Sequence, residues 1–295
     1  MTGPEQGFLL LTSSLGDPHR KPLTVPQFRE LAKRVQNADK KTDKRSLMPA
    51  DLIALGYAPA MAERIVALLS GTNQLREYLH RAQSCDCYPI TRLNPIYPLS
   101  VRQRLGLESP GVLWAKGDIT LLGKPAVAVI GSRDLSEENR KFAEEAGRQA
   151  ALQGCVLISG NARGADQAAQ EACLRAAGQV ISVVADSLQN QPLRENVLYL
   201  SLDDFDQSFS AQRALQRNYV IHTLPALTLV AQCTLGKGGT WDGTLTNLSH
   251  SRTPVCMFSD GSDAAAELQN CGARLIGVEA LQDFSALAEQ MKRIF

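Results

Sequence analysis

The sequence predicts an α/β fold in which a doubly wound, mostly parallel sheet follows a small all-helical N-terminal domain. From residue 126 onward, short apolar runs alternate with helical patterns, which is typical of βαβ units. Several of these runs are almost continuously apolar, as in strands buried on both faces of a helix-covered parallel sheet. In the first 84 positions, apolar residues instead recur at helical spacing.

Residues 1–84 are predicted to form the helical domain. The stretch "TVPQFRELAKRVQ" begins with Thr24 as a helix cap and Pro26 near the first turn, and Phe28, Leu31 and Val35 follow at helical spacing. The charged run "NADKKTDKRS" predicts a loop, and "MPADLIALG" and "APAMAERIVALLSG" predict two short helices. Two interpretations stay open: a plain helical cap domain, or a SAM-like helix-hairpin-helix unit that contacts the backbone of nucleic acid.

Residues 85–295 are predicted to form the sheet domain. The segment 88–118 is rich in proline and turns, and we expect it to be a connector that packs on this domain. Six strands are predicted, from "PAVAVIG", "CVLISG", "QVISVVAD", "PALTLVAQC", "TPVCMFSD" and "ARLIGV". Helices fall between most of them, and "ALAEQMKRIF" predicts a closing helix.

Composition excludes several classes of protein. Apolar residues make up 44% and charged residues 21% of the 295 positions, which is ordinary for a globular chain. No uncharged apolar run could span a membrane, and no basic region precedes the short apolar patch near the start, so we expect a cytoplasmic protein without membrane contact. The seven cysteines form no CxxC pair and predict reduced thiols and no metal site.

Charge is distributed unevenly along the chain. The net charge is +1, with 12 Lys and Arg against 8 Asp and Glu in residues 1–84 and 19 against 22 in the remainder. A chain this close to neutrality has no overall attraction for nucleic acid. Binding of a polyanion would therefore depend on a local cluster of cations.

The loops that follow four of the predicted strands are the candidate binding site, because ligands of doubly wound sheets bind outside the carboxyl ends of the strands. These loops are "GSRD", "SGNARGAD", "ADSLQNQPLREN" and "TLGKGGTWDGT". Glycines let the backbone approach a ligand, and helix N-termini offer N–H groups to anions. The predicted phosphate-binding residues are Gly131, Ser132, Arg133, Ser159, Gly160, Arg163, Gly164, Arg194, Lys237, Gly238, Gly239 and Thr240.

Known cofactor and catalytic patterns are missing from these loops. Neither GxGxxG after the first strand nor GxxxxGK[ST] is present, so no cofactor is expected. The loop hydroxyls have no obvious base, because His222 and His250 are expected to be structural or exposed. Asp134 and Asp166 each open a helix and are expected to cap it. We therefore expect a protein that is not an enzyme and has no catalytic residue.

Several segments together carry a likeness to a known family. "YPLSVRQRLGLESPGVLWAKGDITLL", "VAVIGSR" and "LISGNARGAD" follow in the order and spacing typical of the DNA-processing protein A family, also called Smf, within the Rossmann-like SLOG superfamily. "QRNYVIHTLPALTLVAQC" resembles the family's arginine-asparagine segment and following strand, and "GKGGTWDGT" stands where the family has a Ser-Gly loop. The resemblance covers roughly residues 88–260.

The resemblance implies an extended Rossmann-like domain that binds single-stranded DNA and acts as a homodimer. It also implies protection of incoming DNA during natural transformation and loading of a RecA-type recombinase. Arg133 matches the arginine of the family's GSR motif, Arg194 and Asn196 match its YPxxN segment, and Arg217 and Asn218 match its RN pair. Holding a strand through its phosphates gives low sequence specificity.

Other functions remain open at this point. The glycine-rich loops also resemble those of SLOG proteins that sense small nucleotides, and a role in phage defence is an alternative to transformation. Relatives that hydrolyse nucleoside monophosphates carry a PGGxGTxxE motif, of which "GKGGTWDGT" keeps only GGT. The winged-helix domain at the C-terminus of many members is expected to be absent. Four aromatic residues near the loops are candidates for base stacking or for the core: Phe205, Phe209, Tyr219 and Trp241.

Overall fold

The computed structural model describes residues 1–37 and 47–292 of the chain, which fall into two units, Met1–Cys85 and Asp86–Phe295. All but the first residue of the predicted loop "NADKKTDKRS" lies outside the described residues, as do the last three residues of the predicted closing helix. No helix within the described ranges is long and apolar enough to cross a membrane.

The first unit is entirely helical in its described part. Its helices are α1 (Gly3–Thr12), α2 (Val25–Asn37), α3 (Pro49–Ala54), α4 (Pro59–Leu69) and α5 (Thr72–Ser84). Leu31, Leu52 and Ile65 of three different helices are buried in one apolar cluster, as their helical spacing predicts. The resemblance of this unit to a helix-hairpin-helix module stays a prediction.

The second unit is built on a nine-stranded, mostly parallel sheet, which confirms the predicted fold class. The strands are β1 (Cys87–Thr91), β2 (Val112–Gly117), β3 (Ala126–Ile130), β4 (Val156–Ser159), β5 (Gln179–Val183), β6 (Val197–Ser201), β7 (Leu227–Val230), β8 (Val255–Phe258) and β9 (Arg274–Ile276). Their order is β1-β2-β6-β5-β4-β3-β7-β8-β9, and the seven strands from β6 to β9 are parallel.

Helices connect and cover these strands. They are α6 (Leu99–Leu105), α7 (Glu137–Leu152), α8 (Ala165–Arg175), α9 (Ala211–Thr223), α10 (Gly238–Ser249), α11 (Asp263–Asn270) and α12 (Phe284–Lys292). Ser136 begins α7 by accepting a hydrogen bond from the backbone N–H of Asn139. The helices α7 and α8 pack closely, because Gly147 lies so near the backbone of Ala169 that a Cβ there would be 2.1 Å from its oxygen.

The apolar runs form the core. Every residue of β4, β6, β7 and β8 is buried, so these strands are covered on both faces as their composition predicts. All seven cysteines are free thiols. Burial raises the pKa of Cys173 in α8 and of Cys256 in β8 to about 12 each, so both remain protonated in the core.

The segment 88–118 is more than the predicted connector. It contains β1 and β2, which pair antiparallel with Pro89 opposite Trp114, and β2 then pairs antiparallel with β6. Proline cannot donate to a ladder, and it is tolerated in β1 because that strand lies at the edge of the sheet. The prediction of six strands is therefore corrected to nine, with β1, β2 and β6 added.

Candidate functional site

The centre of the sheet contains a topological switch point. From β3 the chain continues to β4 on one side, and from the neighbouring β7 it continues to β8 on the other side. A cavity of about 440 Å³, here called the β3 cavity, lies where β3 ends and is lined by Ile130, Arg133, Arg217, His222 and Lys237, among others. This is the position at which open α/β sheets bind ligands.

A second cavity lies beside the first. This β4 cavity has a volume of about 650 Å³ and is lined by residues that follow β4 and β5, including Gly160, Arg163 and Asp186. Arg133, Phe209 and Arg217 line both cavities, as do two alanines. The two cavities therefore lie side by side along the carboxyl edge of the sheet, and together they are called the recess.

The loop after β3 is fixed by its neighbours. The backbone N–H of Ser132 donates to the carbonyl of Gln232 (2.9 Å), and the Thr240 hydroxyl donates to the carbonyl of Gly131 (3.0 Å). A Cβ at Gly131 would lie 2.6 Å from the Cβ of Ala165, so only glycine fits there. The loop thus has a rigid backbone, but the N–H of Ser132 is already used and is not available to a ligand.

A buried ion pair stands at the junction of the two cavities. The guanidinium of Arg217 in α9 lies 3.9 Å from the carboxylate of Asp166, and the two side chains are 12% and 6% exposed. Asp166 also accepts hydrogen bonds from the backbone N–H groups of Gly160 (3.0 Å) and Ala162 (3.2 Å). The predicted helix-capping role of Asp166 is therefore corrected: its carboxylate organises the loop before α8 and holds Arg217.

Burial dominates the electrostatics of this pair. It raises the pKa of Asp166, and the nearby Arg217 acts in the opposite direction. It lowers the pKa of Arg217, which Asp166 partly offsets. Gly160 makes room for the pair, because a Cβ at this position would lie 1.3 Å from Nη1 of Arg217. The Arg217 side chain packs so closely against position 160 that only glycine fits there.

His222 is a buried polar residue of the β3 cavity. Its side chain is 2% exposed, and its Nδ1 has no hydrogen-bond partner within the described part of the chain. Burial, and then the charges of Arg252 and Arg217, lower the pKa of His222 from 6.5 to about 3. The imidazole is therefore neutral at physiological pH. The sequence predicts that His222 is structural or exposed; it is buried, and it lines the candidate site.

The N-terminus of α10 forms one wall of the β3 cavity. Gly238, Gly239 and Thr240 form its first turn and line the cavity. Gly238 has a φ of +88°, which glycine adopts without strain. The N–H groups of a first helical turn have no partner inside the helix, and they carry partial positive charge toward an anion. Asn218 supports this turn by donating from Nδ2 to the carbonyl of Gly239 (3.0 Å).

The cations of the recess differ in their availability. Among the described residues, Arg133 and Lys237 have no ion-pair partner, and both are exposed. Arg163 instead pairs with Asp134 (2.7 Å), and both side chains are largely exposed, so this pair is weak. Arg133 and Lys237 are therefore the cations freest to meet an anionic ligand.

Two of the predicted residues contribute to the loops without lining a cavity. The Ser159 hydroxyl is fully buried and accepts a hydrogen bond from Gln170. Gly164 has a φ of +91°, and a Cβ there would lie 2.2 Å from the carbonyl oxygen of Ser132. Gly164 therefore allows the loop after β4 to cross the loop after β3. Both residues shape the site and present no group to it.

Arg194 and Asn196 do not line either cavity. Because β5 and β6 are parallel and Val180 pairs with Val197, β6 begins at the edge where β5 begins. The segment that connects β5 to β6 therefore runs from the carboxyl edge of the sheet back to its amino edge, which it has reached by residue 196. The two edges are about 16 Å apart, the length of a five-residue strand. The expectation that Asn196 shares a rim with Arg133 is corrected, because Asn196 directly precedes β6 at its amino-terminal edge. Arg194 lines neither cavity, and its side chain hydrogen-bonds to Tyr199 of β6.

The structure separates the four aromatic candidates. Phe205 packs against Trp114 with ring centroids 5.2 Å apart, and Trp241 is 7% exposed in the core. Tyr219 is exposed, with the guanidinium of Arg252 over its ring. Phe209 is also exposed, and it is the one residue of these four that lines the cavities. The signal for Phe209 in the sequence is its position in the polar segment "DQSFSAQ", where no core strand or helix face would bury it.

Among the described residues, no group of three or more His, Cys, Asp or Glu side chains is placed to hold a metal ion.

Comparison with known proteins gives consistent findings. The model of a family described as DNA recombination-mediator protein A matches residues 89–287. A DNA processing protein DprA of Bacillus subtilis is 30% identical over 119 residues, which are 40% of this chain and 39% of that protein. A DNA processing protein DprA of Streptococcus pneumoniae is 37% identical over 107 residues, which are 35% of this chain and 32% of that protein. The matched segments thus span less than two fifths of either relative.

Two solved structures have the same fold. The X-ray structure of DNA processing protein A from Streptococcus pneumoniae superposes with a TM-score of 0.60 and 22% identity, covering 87% of this chain and 96% of that one. A structure of DNA processing protein A from Helicobacter pylori, described for its single-stranded DNA binding mode, gives a TM-score of 0.57 and 22% identity. It covers 71% of this chain and 97% of that one.

Proposed function

This chain belongs to the DNA recombination-mediator protein A family, and from that premise we propose that it binds single-stranded DNA along the carboxyl edge of the sheet. The observation that carries the proposal is the recess formed by the neighbouring β3 and β4 cavities, both of which are lined by Arg133 and Arg217. The Helicobacter pylori relative, which shares the fold, is described as binding single-stranded DNA.

The recess has the groups that a flexible polyanion needs. Arg133 and Lys237 offer unpaired positive charge, and the first turn of α10 offers backbone N–H groups to a phosphate. Phe209 offers an exposed ring on which a base can stack irrespective of its identity. Contacts of these two kinds hold a strand without reading its sequence in detail.

Within this proposal the predicted residues have different roles. Arg133, Lys237 and the start of α10 contact phosphates directly, and Arg163 contributes once its exposed pair with Asp134 opens. Asn218, Gly131, Gly160 and Gly164 keep the loops in place. Arg194 and Asn196 lie outside the recess, so we assign them no contact with the strand there.

Family membership supports a proposal for the wider role. We propose that the protein, not acting as an enzyme, protects single strands in the cytoplasm and helps to load a RecA-type recombinase as a homodimer. Natural transformation is the proposed setting, and phage defence is the alternative. Nuclease protection of a bound strand, strand exchange by a recombinase in the presence of this protein, and light scattering test these three statements separately.

A direct binding experiment tests the central proposal. Fluorescence anisotropy with a labelled oligothymidylate at about 50 mM salt is expected to show binding that weakens steeply as salt rises, because neutralised phosphates release counterions. Arg133→Ala is expected to weaken binding by about tenfold or more, since it removes one of two unpaired cations.

Arg175→Ala is the matched control for this experiment. Arg175 ends α8 and lines neither cavity, and its exposed side chain pairs with Glu171 of the same helix. It is expected to bind DNA like the unmodified chain. If Arg133→Ala and Arg175→Ala bind equally well, the strand does not occupy this recess.

A small-nucleotide sensor is the second candidate function. The observation in its favour is the β3 cavity itself, whose volume of about 440 Å³ lies in the range of roughly 300–1,000 Å³ typical of small-molecule sites. A mononucleotide that raises the melting temperature of the chain, combined with no binding of oligothymidylate, would favour this candidate.

A further inference from the structure

Tyr219 of α9 is an aromatic residue for which the proposed function has no role. Its side chain is 41% exposed, and it lines neither the β3 cavity nor the β4 cavity. A single exposed aromatic side chain is common on protein surfaces, so the groups around the ring indicate whether it binds a ligand. Here these groups connect Tyr219 to the recess and fix the position of its ring.

Tyr219 lies one helical turn from the β3 cavity. Leu215 lines that cavity and is 50% exposed, and because it precedes Tyr219 by four positions, the two side chains are neighbours on one face of α9. Leu215 also lies beside the first turn of α10, since its Cδ2 would be 3.5 Å from a Cβ at Gly239. The start of α10, Leu215 and Tyr219 are therefore successive neighbours, and Tyr219 is about 6 Å beyond Leu215 along the helix.

Arg252 holds the ring of Tyr219 in place. Its Cζ lies over the ring, 5.4 Å from the ring centre, and its Nη2 donates to Oε2 of Glu108 (3.1 Å). The Arg252 side chain is only 6% exposed, so the guanidinium is a buried support for the ring. The exposed part of the ring is the part that Arg252 does not cover. Because the ring is already ordered, a flat group that stacks on it loses little of the binding free energy to conformational entropy.

A base of a bound strand is the occupant that fits this ring. The proposed function puts a phosphate at the start of α10, and a strand that continues from there over Leu215 reaches Tyr219. Every base has a π-face that stacks on an aromatic ring whatever its identity. A partner protein fits less well, because Leu215 and Tyr219 are the only large apolar side chains exposed on α9, whereas a stable protein interface buries about 800 Å² on each side.

We propose that Tyr219, supported by Arg252, is a stacking platform for one base of a strand that leaves the β3 cavity along α9. This inference rests on the proposed function and extends it, because it gives the strand a path outside the recess. Tyr219 acts on the base and contacts no phosphate. Its contribution to binding is therefore independent of salt, unlike that of Arg133.

Two substitutions separate stacking from apolar contact, with the full chain and anisotropy of a labelled oligothymidylate as readout. Tyr219→Leu keeps an apolar side chain without a π-face and is expected to weaken binding by about fivefold or more. Tyr219→Phe keeps the ring and is expected to bind within about twofold of the unmodified chain. The slope of log binding constant against log salt is expected to be the same in both variants as in the unmodified chain.

Leu152→Ala is the control for loss of an exposed apolar side chain. Leu152 ends α7, is 62% exposed and lines neither cavity, so this variant is expected to bind like the unmodified chain.

Tyr219→Trp provides a second measurement that does not depend on a loss of affinity. Stacking of a base on the new indole is expected to quench its fluorescence, whereas the two native tryptophans, Trp114 and Trp241, are buried and give the background in the unmodified chain. An abasic sugar-phosphate oligomer of the same length, added until it is bound, is expected to leave the fluorescence of the variant unchanged.

The outcomes distinguish this inference from the proposed function. If Arg133→Ala weakens binding of oligothymidylate but Tyr219→Leu binds like Leu152→Ala, the proposed function stands and the platform is overturned. The platform is also overturned if the bound abasic oligomer quenches Tyr219→Trp as strongly as oligothymidylate does. If oligothymidylate does not bind the unmodified chain, both proposals fail.

Discussion

At the scale of single residues, the loop after β4 and the first turn of α8 each contribute one residue to an ion pair, and the two pairs are of opposite character. Asp166 is buried against Arg217 and holds two backbone N–H groups, whereas Asp134 reaches Arg163 in open solvent. Removing one partner of a buried pair leaves the other charge desolvated, but removing an exposed partner leaves a hydrated ion. Replacing the aspartate by asparagine should therefore lower the free energy of unfolding much more at Asp166 than at Asp134.

We expect Asp166→Asn to lower the free energy of unfolding by about 3 kcal/mol, because Arg217 loses its countercharge while buried. Asp134→Asn, the matched control, should change it little. Urea unfolding followed by circular dichroism measures both. Equal midpoints for the two variants would show that the Asp166–Arg217 pair does not stabilise the fold.

The buried His222 makes the free energy of unfolding depend on pH. In the unfolded chain this histidine binds a proton below its ordinary pKa of 6.5, but in the folded chain only near pH 3. Between these two values the unfolded state holds more protons, so stability falls as the pH is lowered.

From about pH 7.5 to about pH 5, this one group should remove about 2 kcal/mol of stability. His222→Gln lacks a titrating group and should lose that much less over the same interval. Urea midpoints of both chains at the two pH values provide the measurement. A parallel loss in both chains would mean that the imidazole titrates normally in the fold.

At the scale of elements, α9 is the helix on which the site depends. It carries Arg217, Asn218 and His222, and its last residue is Thr223. Arg104 of α6 donates to the carbonyl of Thr223 (2.8 Å) and to that of Pro225, so a cation satisfies the carboxyl end of α9. The position of three site residues is thus tied to a helix in a segment predicted to be only a connector.

We expect Arg104→Ala to destabilise the chain by about 2 kcal/mol, since two backbone carbonyls lose a charged donor. It should also weaken binding of oligothymidylate, although Arg104 lines neither cavity. Arg102→Ala, on the exposed side of the same helix, is the control and should change neither property. Loss of stability without any loss of binding would show that α9 keeps its position without this cap.

The strands show what local sequence can predict. Six parallel strands could be predicted because each contains a short apolar run bounded by turn residues, which is a local signal. β1 and β2 could not be predicted in this way. Pro89 argues against a strand unless that strand is known to lie at the edge of the sheet, and the pairing of β1 with β2 joins residues that are distant in the sequence.

The same limit applies to the site. The glycine-rich loops after β3, β4 and β7 identify the edge at which the recess lies, but not which side chains enter it. Arg194 follows β5 in the sequence, and this position predicts that it lies in the recess. Its actual position depends on where the next strand, β6, begins, and the sequence does not predict β6. The pairing of Asp166 with Arg217 joins residues 51 positions apart, and no spacing in the sequence indicates it.

At the scale of the whole molecule, the small net charge gives a quantitative expectation. A chain of net charge +1 binds a polyanion through the few cations that contact it, not through its overall field. Each phosphate neutralised on a single strand contributes about −0.7 to the slope of log binding constant against log salt. Arg133, Arg163 and Lys237, the three cations assigned to phosphates, therefore predict a slope of about −2.

Anisotropy titrations of the unmodified chain at four or more salt concentrations measure this slope, and Arg133→Ala should make it less negative by about 0.7. A slope much steeper than about −4 would mean that cations outside the recess also contact the strand. Such a result would direct attention to the first unit, which holds 12 of the 31 Lys and Arg residues.

The distribution of the cysteines gives the molecule a built-in reporter of its own unfolding. A maleimide reacts with thiolate, so it should modify the exposed Cys271 at once and leave Cys173 and Cys256 untouched while the sheet is intact. Mass spectrometry after a short pulse of reagent would then count the adducts at each urea concentration. The β8 and α8 thiols should become modified together, at the denaturant concentration where the sheet opens, without any added dye or engineered label.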